Sequence, residues 1–133
     1  MIVADTNLIA YLLLPGERTR DSERVYEKDP HWIAPLLWRS EFRNVLALYL
    51  QREEMTLEVS VELVDLAEML MRGNEYTIAS EEVLSLAAQS RCSAYDCEFV
   101  ALARQEEVSL VTTDRELLAA FPSMATAPDS FAA

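Results

Sequence analysis

The sequence predicts an α/β protein, a three-layer α/β/α sandwich built on a small parallel sheet. Short apolar segments of strand length alternate along the chain with longer segments whose apolar residues recur at helical spacing. Strands separated by helices pair in parallel through right-handed crossovers, so helices are expected on both faces of the sheet. The chain has 133 residues, 51% of them hydrophobic, and only two glycines. Residues 1–133 are therefore expected to form one domain without long linkers.

The first half of the chain is predicted to contain two strands and up to four helices. The Pro15-Gly16 pair is a turn signal that ends the first helix. Thr56 is the expected N-cap of the last helix in this half, and Arg72-Gly73 supplies its C-terminal stop. The predicted elements are, in order, a buried strand at 2–5, a helix at 6–14, an exposed helix or ordered loop at 17–28, a strand at 31–35 and helices at 36–51 and 56–71.

The second half is predicted to contain three strands and three helices. The segment "VSLVTT" is the clearest strand of the chain because it is apolar and rich in β-branched residues. Ser80 begins one helix and Asp114 another, which is expected to end at Phe121. The predicted elements are a strand at 75–79, helices at 80–90 and 94–106, a strand at 108–113, a short helix from 114 to 121, a strand at 124–127 and then a polar tail.

The formal net charge of −12 restricts the classes of partner. Non-specific nucleic-acid binding needs many Lys and Arg contacts to phosphate, which this chain has few residues to make. The same charge is also expected if several carboxylates are clustered for a cation, and composition leaves both interpretations open. No apolar run approaches the roughly 20 residues that span a bilayer, and the N-terminus lacks the positively charged n-region of a signal peptide. A cytoplasmic protein without a membrane partner is expected.

Two aspartates follow predicted strands. Asp5 ends the strand "IVA", and Asp114 comes directly after "SLVTT". Because sites in open α/β sheets form at the carboxyl ends of the strands, both carboxylates are expected at the same sheet edge. The alternative for each is a helix N-cap without any other role.

Two further acids lie in predicted helices beside apolar residues. Glu41 is flanked by Trp38 and Phe42, and Asp96 lies between Tyr95 and Phe99. A carboxylate next to a buried helix face is unfavourable unless it is paired or binds a cation. The alternatives are pairing of Glu41 with a neighbouring arginine and a solvated edge position for Asp96.

Together these four acids predict a site for a divalent cation. Unneutralised carboxylates in one pocket raise one another's pKa, and a cation removes that repulsion. Oxygen ligands without His or Cys suit Mg²⁺ or Mn²⁺. His31, the sole histidine, is expected to be structural, and Cys92 and Cys97 match no metal or redox spacing and are expected to be buried thiols. The chain also lacks a phosphate-binding glycine-rich loop.

Four segments taken together resemble the PIN-domain ribonucleases, and within them the VapC-type toxins. They occur in family order over nearly the whole chain and are "VADTNLIAYLL" at 3–13, "SEFRNVL" at 40–46, "SAYDCEFVALA" at 93–103 and "LVTTDREL" at 110–117. The resemblance implies a PIN-like fold and metal-dependent endonucleolytic cleavage of RNA, leaving 5′-phosphate and 3′-hydroxyl ends.

The resemblance also implies roles for individual residues. Asp5 and Asp96 match the firmest metal ligands, while Glu41 and Asp114 match acids that act directly or through water. Supporting positions, whose side chains orient the carboxylates, are matched by Asn7, Thr112 and, less specifically, Thr6. Since RNA needs a local basic rim on so acidic a protein, the arginines beside these acids are expected to contact it; they are Arg39, Arg43 and Arg115.

Toxins of this family are held inactive by a cognate VapB-like antitoxin and often form homodimers. The predicted helices at 36–51 and 56–71 carry more apolar surface than one sheet face needs, and "LVDLAEMLM" is the kind of stretch that lines a groove for a partner helix. The alternative for this stretch is simple core packing.

Other function classes fit the residues less well. A phosphoreceiver domain needs a lysine at a late strand end, but Lys28 is the only lysine and lies early in the chain. A DxD phosphatase needs a second aspartate where the chain has Asn7. The remaining alternative is a degenerate PIN domain that acts as a non-catalytic binding module.

Overall fold

A computed structural model describes residues 1–133 as five strands and eight helices. The strands are β1 Ile2–Ala4, β2 Trp32–Pro35, β3 Glu75–Tyr76, β4 Leu110–Val111 and β5 Ala125–Thr126. The helices are α1 Thr6–Leu13, α2 Thr19–Lys28, α3 Trp38–Gln51, α4 Leu57–Met71, α5 Ser80–Ser90, α6 Ala94–Glu106, α7 Arg115–Ala120 and α8 Pro128–Ala132.

The five strands form one parallel sheet in the order β3-β2-β1-β4-β5. The chain builds outward from β1 to β3 and then crosses to the other side of β1, so the order reverses between β1 and β4. Ala4 lies opposite Val111 at this reversal. Clefts of open α/β sheets form at such a point, and the next residues along both strands therefore meet there.

Helices cover both faces of the sheet, as the sequence predicts. Every residue of β1, β2 and β4 is buried. Trp32, Trp38, Phe42 and Phe99 are the largest side chains of the core, and Cys92 and Cys97 are buried free thiols, as expected. No helix of the fold combines the length and the apolarity needed to cross a membrane.

The strands at 75–79 and 108–113 are shorter than predicted. In "VSLVTT" only Leu110–Val111 is paired strand. The backbone N–H of Thr112 still donates to the carbonyl of Thr126 at 3.0 Å, but the Thr112 hydroxyl donates to a carboxylate and the chain then turns into α7. Side-chain hydrogen bonding at the sheet edge therefore ends this strand early.

The prediction of a polar tail after residue 127 is wrong, because this segment forms helix α8. Proline is favoured at the first position of a helix, and Pro128 occupies it here. The ammonium group of Lys28 lies 4.8 Å from the ring centroid of Phe131 and donates to the Phe131 carbonyl. The segment at 17–28, predicted as a helix or a loop, is helical from Thr19 and buries Ser22 and Val25.

Candidate functional site

Asp5 lies between β1 and α1, at the carboxyl edge of the sheet. Its Oδ1 accepts from the backbone N–H of Thr6 at 2.7 Å, and its Oδ2 accepts from the hydroxyl of Thr112 at 2.6 Å. Burial raises the pKa of Asp5 above its usual value; these two hydrogen bonds oppose the rise, and the charges of Asp96 and Asp114 add to it. Asp5 is thus the N-cap of α1 and also part of a larger group of acids.

Asp114 joins the same group from the end of β4. Its Oδ1 accepts from the backbone N–H groups of Glu116 and Leu117 at 2.8 and 3.2 Å, so it caps α7. Its own backbone N–H donates to the Thr112 hydroxyl oxygen at 3.0 Å. Thr112, which is fully buried, therefore connects Asp5 to Asp114.

Glu41 approaches from the first turn of α3. Its Oε1 accepts from the Thr6 hydroxyl at 2.8 Å. Its pKa is raised, first by burial and then by the charges of Asp5 and Asp96, while the Thr6 bond opposes the rise. Thr6 thus holds Glu41 through its hydroxyl and Asp5 through its backbone N–H.

Pairing of Glu41 with a neighbouring arginine, the alternative for this residue, does not occur. Arg39 instead donates to both carboxylate oxygens of Glu75 at 2.6 and 2.8 Å, and to Glu68 at 2.8 Å. Arg43 donates to the backbone carbonyl of Arg39 at 3.0 Å. Glu41 therefore has no basic partner.

Asp96 lies in the first turn of α6, where the Ser93 hydroxyl oxygen accepts from its backbone N–H at 3.1 Å. Burial raises the pKa of Asp96, and the charge of Asp114 raises it further. The side chain is half-buried rather than solvated at the edge of the helix.

These four acids line one cavity of about 450 Å³ at the carboxyl edge of the sheet. None of the four forms a salt bridge; the ion pairs of the chain all involve other acids. Thr6 and Asn7 line the same cavity, while Thr112 lies behind Asp5. The other lining side chains are not assigned to the site from the sequence; they are Leu37, Ser40, Asn44, Val45 and Tyr95. Of these, only Asn44 has a sequence signal, because it lies three residues after Glu41 on the same helix face.

The three arginines expected to contact RNA do not line this cavity. Arg39 is bound to Glu68 and Glu75, and these bonds raise the pKa of its guanidinium further. Arg43 and Arg115 are exposed and form no salt bridge. Of the three, only these two have a guanidinium without an acidic partner.

The donor set of the cavity suits a hard divalent cation. No three His, Cys, Asp or Glu side chains lie close enough together to hold a metal ion by themselves. Mg²⁺, however, usually takes only one or two protein carboxylates and keeps several waters. The cavity offers oxygen donors, and its acids have no basic partner. The pKa values of three of these acids are raised, as expected of a site that binds such an ion. Zn²⁺, in contrast, would require His or Cys ligands.

Comparisons with known proteins agree with this fold. The family model described as "PIN domain" matches residues 2–121. Ribonuclease VapC3 of Pyrobaculum aerophilum is 28% identical over 94% of this chain and 98% of its own length. The crystal structure of PAE2754 from the same organism superposes with a TM-score of 0.77 at 17% identity, over 98% of this chain and 85% of the other. A toxin-antitoxin complex from Klebsiella pneumoniae gives 0.71 at 18% identity, over 96% and 98%.

Proposed function

This chain belongs to the PIN domain family, and we propose that it is an endoribonuclease that hydrolyses RNA phosphodiester bonds as the toxin of a type II toxin–antitoxin pair. The observation that carries the proposal is the group of four acids that lines one cavity without a basic partner. The similarity to a VapC ribonuclease over almost the full length of both chains supports the same activity.

The proposed cofactor is Mg²⁺ or Mn²⁺. Asp5 and Asp96 would hold it, and Glu41 and Asp114 would contribute directly or through water. When bound, such an ion lowers the pKa of a coordinated water and stabilises negative charge on the phosphate oxygens. The donor set described above supports this choice of ion.

Thr6 and Thr112 orient two of the carboxylates and oppose the rise of their pKa values. Hydrogen bonds to an ionised carboxylate favour the charged form. Thr112 and Thr6 supply such bonds to Asp5 and Glu41, against the effect of burial. Asn7, whose side chain lies at the exposed end of the cavity, is proposed to bind solvent or substrate beside Asp5.

An RNA cleavage assay with two cavity variants and one control tests this proposal. Asp5→Asn and Asp96→Asn keep the size of the side chain and remove its charge, and we expect both to abolish cleavage while circular dichroism shows an intact fold. Asp65→Asn is the matched control, because Asp65 is exposed on α4 and does not line the cavity. Full cleavage by either cavity variant would contradict the proposal.

Failure of the unaltered, folded protein to cleave any RNA would favour the second candidate, a non-catalytic PIN module. Sequencing of RNA 5′ ends after induced expression provides the most general form of this test, since it detects cleavage of any transcript in the cell. New 5′ ends that disappear in the Asp5→Asn strain would identify both the activity and the RNA.

The proposed partners are RNA, a VapB-like antitoxin and a second copy of the chain. Several large apolar side chains of α4 are exposed, with Leu57 at 69% and Met69 at 63% of their full accessible surface. Exposed apolar patches of this kind mark sites of protein association. Arg43 and Arg115 are proposed to contact RNA, and the cytoplasm is the proposed compartment because the substrate is RNA.

Light scattering after size-exclusion chromatography, with the protein alone and after co-expression with the antitoxin, tests the partner proposals. We expect a dimer alone and a larger complex with the antitoxin. Met69→Glu should weaken one of these assemblies. The matched control is Ala88→Glu, which places the same charge at an exposed position on α5 and should leave both assemblies intact.

A further inference from the structure

A second cavity, of about 250 Å³, borders the acidic cavity. Asn7 and Val45 line both, so the two cavities are neighbours that share these two side chains as a boundary. The second cavity lies between α1, the turn that follows it and the middle of α3. Its remaining walls include Tyr11, Tyr49 and Arg18.

The aromatic side chains of this cavity do not stack on other aromatic rings of the protein. They are Tyr11 and Tyr49, and both are only half-buried. The guanidinium carbon of Arg18 lies 5.6 Å from the centroid of the Tyr11 ring. Arg18 forms no salt bridge although the chain carries a net charge of −12.

We propose that this cavity binds one nucleobase of the RNA strand, from the nucleotide next to the phosphate that the acidic cavity holds. The inference rests on the proposed nuclease function and adds a determinant of where the strand is cut. Single-stranded RNA is held by stacking of bases on aromatic side chains and on Arg guanidinium groups. Tyr11, Tyr49 and Arg18 supply those groups in one place.

The size of the cavity and the apolar part of its lining favour a base over the other parts of a nucleotide as the main occupant. The volume is below the roughly 300–1,000 Å³ of pockets that take whole drug-sized ligands, so one ring system fits better than a dinucleotide. Glu17 also lines the cavity and repels a phosphate. Leu14 and Pro15 add apolar walls, which an uncharged ring can contact and a phosphate cannot.

The test uses an oligoribonucleotide that the unaltered enzyme cleaves at one bond, together with versions in which single nucleotides near that bond are abasic. We expect one abasic position next to the bond to raise KM about tenfold, the size of effect that base stacking produces. Tyr49→Leu and Arg18→Gln should raise KM for the intact RNA by a similar factor. In these variants the abasic RNA should be cleaved no worse than the intact one.

Matched controls separate the cavity from overall charge and from folding. Arg52→Gln removes another exposed arginine, which lines neither cavity, and it should leave KM unchanged. Tyr26→Leu is the control for Tyr49→Leu: it alters an exposed tyrosine of α2 outside both cavities and should also leave KM unchanged. Because Arg18 is exposed, Arg18→Gln is expected to fold even if Tyr49→Leu does not.

The outcomes distinguish this inference from the function on which it depends. If the unaltered protein cleaves RNA no better than Asp5→Asn, the nuclease function fails, and the base site fails with it. If cleavage is normal but no abasic position matters, or Arg18→Gln behaves like Arg52→Gln, only the base site is overturned. Unchanged RNA kinetics with weakened inhibition by the antitoxin would assign the cavity to the protein partner and would also overturn it.

Discussion

Replacing Thr112 by valine removes one hydroxyl from the end of β4 and keeps nearly the same shape of side chain. The hydroxyl donates to Asp5 at 2.6 Å and accepts from the backbone N–H of Asp114 at 3.0 Å, and Thr112 has no solvent exposure. No water molecule can therefore easily take its place. The substitution tests whether this buried bond keeps Asp5 ionised.

The expected size of the effect follows from the difference between charged and neutral hydrogen bonds. A bond to a charged group contributes about 1.5–3 kcal/mol and a neutral one about 0.5–1.5 kcal/mol. The Thr112 bond therefore favours ionised Asp5 over the protonated form by roughly 1–1.5 kcal/mol. Since one pKa unit corresponds to about 1.36 kcal/mol, Thr112→Val should raise the pKa of Asp5 by about one unit.

The measurement is the pH dependence of kcat/KM for RNA cleavage at a fixed, subsaturating Mg²⁺ concentration. The acidic limb should move to higher pH by about one unit, and the shift should shrink at saturating Mg²⁺, which competes with protons for Asp5. Burial already raises this pKa above its usual value, so ionisation of Asp5 is less favourable in the folded chain than in the unfolded one. The loss of stability in Thr112→Val should consequently be larger at neutral pH than at acidic pH.

Thr113→Val is the matched control, because Thr113 is the next residue and is only half-buried. Its acidic limb should coincide with that of the unaltered enzyme. If the limb of Thr112→Val does not move, or if Thr113→Val moves it equally, the hydroxyl has no part in holding the charge of Asp5.

Three further predictions concern the metal-free cluster, the cofactor and the ion pairs. Asp96→Asn should raise the melting temperature in EDTA by roughly 2–5 °C at neutral pH. The reason is that the fold raises the pKa of Asp96, so the charge of this side chain destabilises the metal-free protein. A lower melting temperature, or an equal rise in Asp65→Asn, would contradict this prediction. EDTA should abolish RNA cleavage and excess Mg²⁺ or Mn²⁺ should restore it, so turnover that survives chelation would exclude the mechanism. Arg39→Met should lower the free energy of unfolding by about 1–2 kcal/mol, since Glu68 and Glu75 lose their partner. Cleavage per folded molecule should stay constant. Unchanged stability with reduced cleavage would instead make Arg39 an RNA contact.

The positions of the acids follow largely from local sequence signals. Asp5 and Asp114 could be placed because each follows an apolar strand, and parallel strands bring their carboxyl ends to one edge. Glu41 and Asp96 could be placed because apolar neighbours fix which helix face turns inward. Both kinds of inference depend on residues close in sequence, which is why they succeed.

The partners of the charged groups depend on tertiary contacts that sequence patterns do not contain. Arg39 binds Glu75, 36 residues away on β3, rather than Glu41 in its own helix turn. The bond from Thr112 to Asp5 spans 107 residues and requires the specific register of β1 and β4. Helix α8 is hard to predict because its five residues are too few to show a helical spacing of apolar residues.

The central position of β1 has a consequence for protein synthesis. β1 is translated before its neighbour β4, and β4 and the carboxylate of Asp114 follow only after more than a hundred further residues. Until then the cavity lacks one wall and one of its four acids. On the proposed function, chains that end before β4 are therefore expected not to cleave RNA.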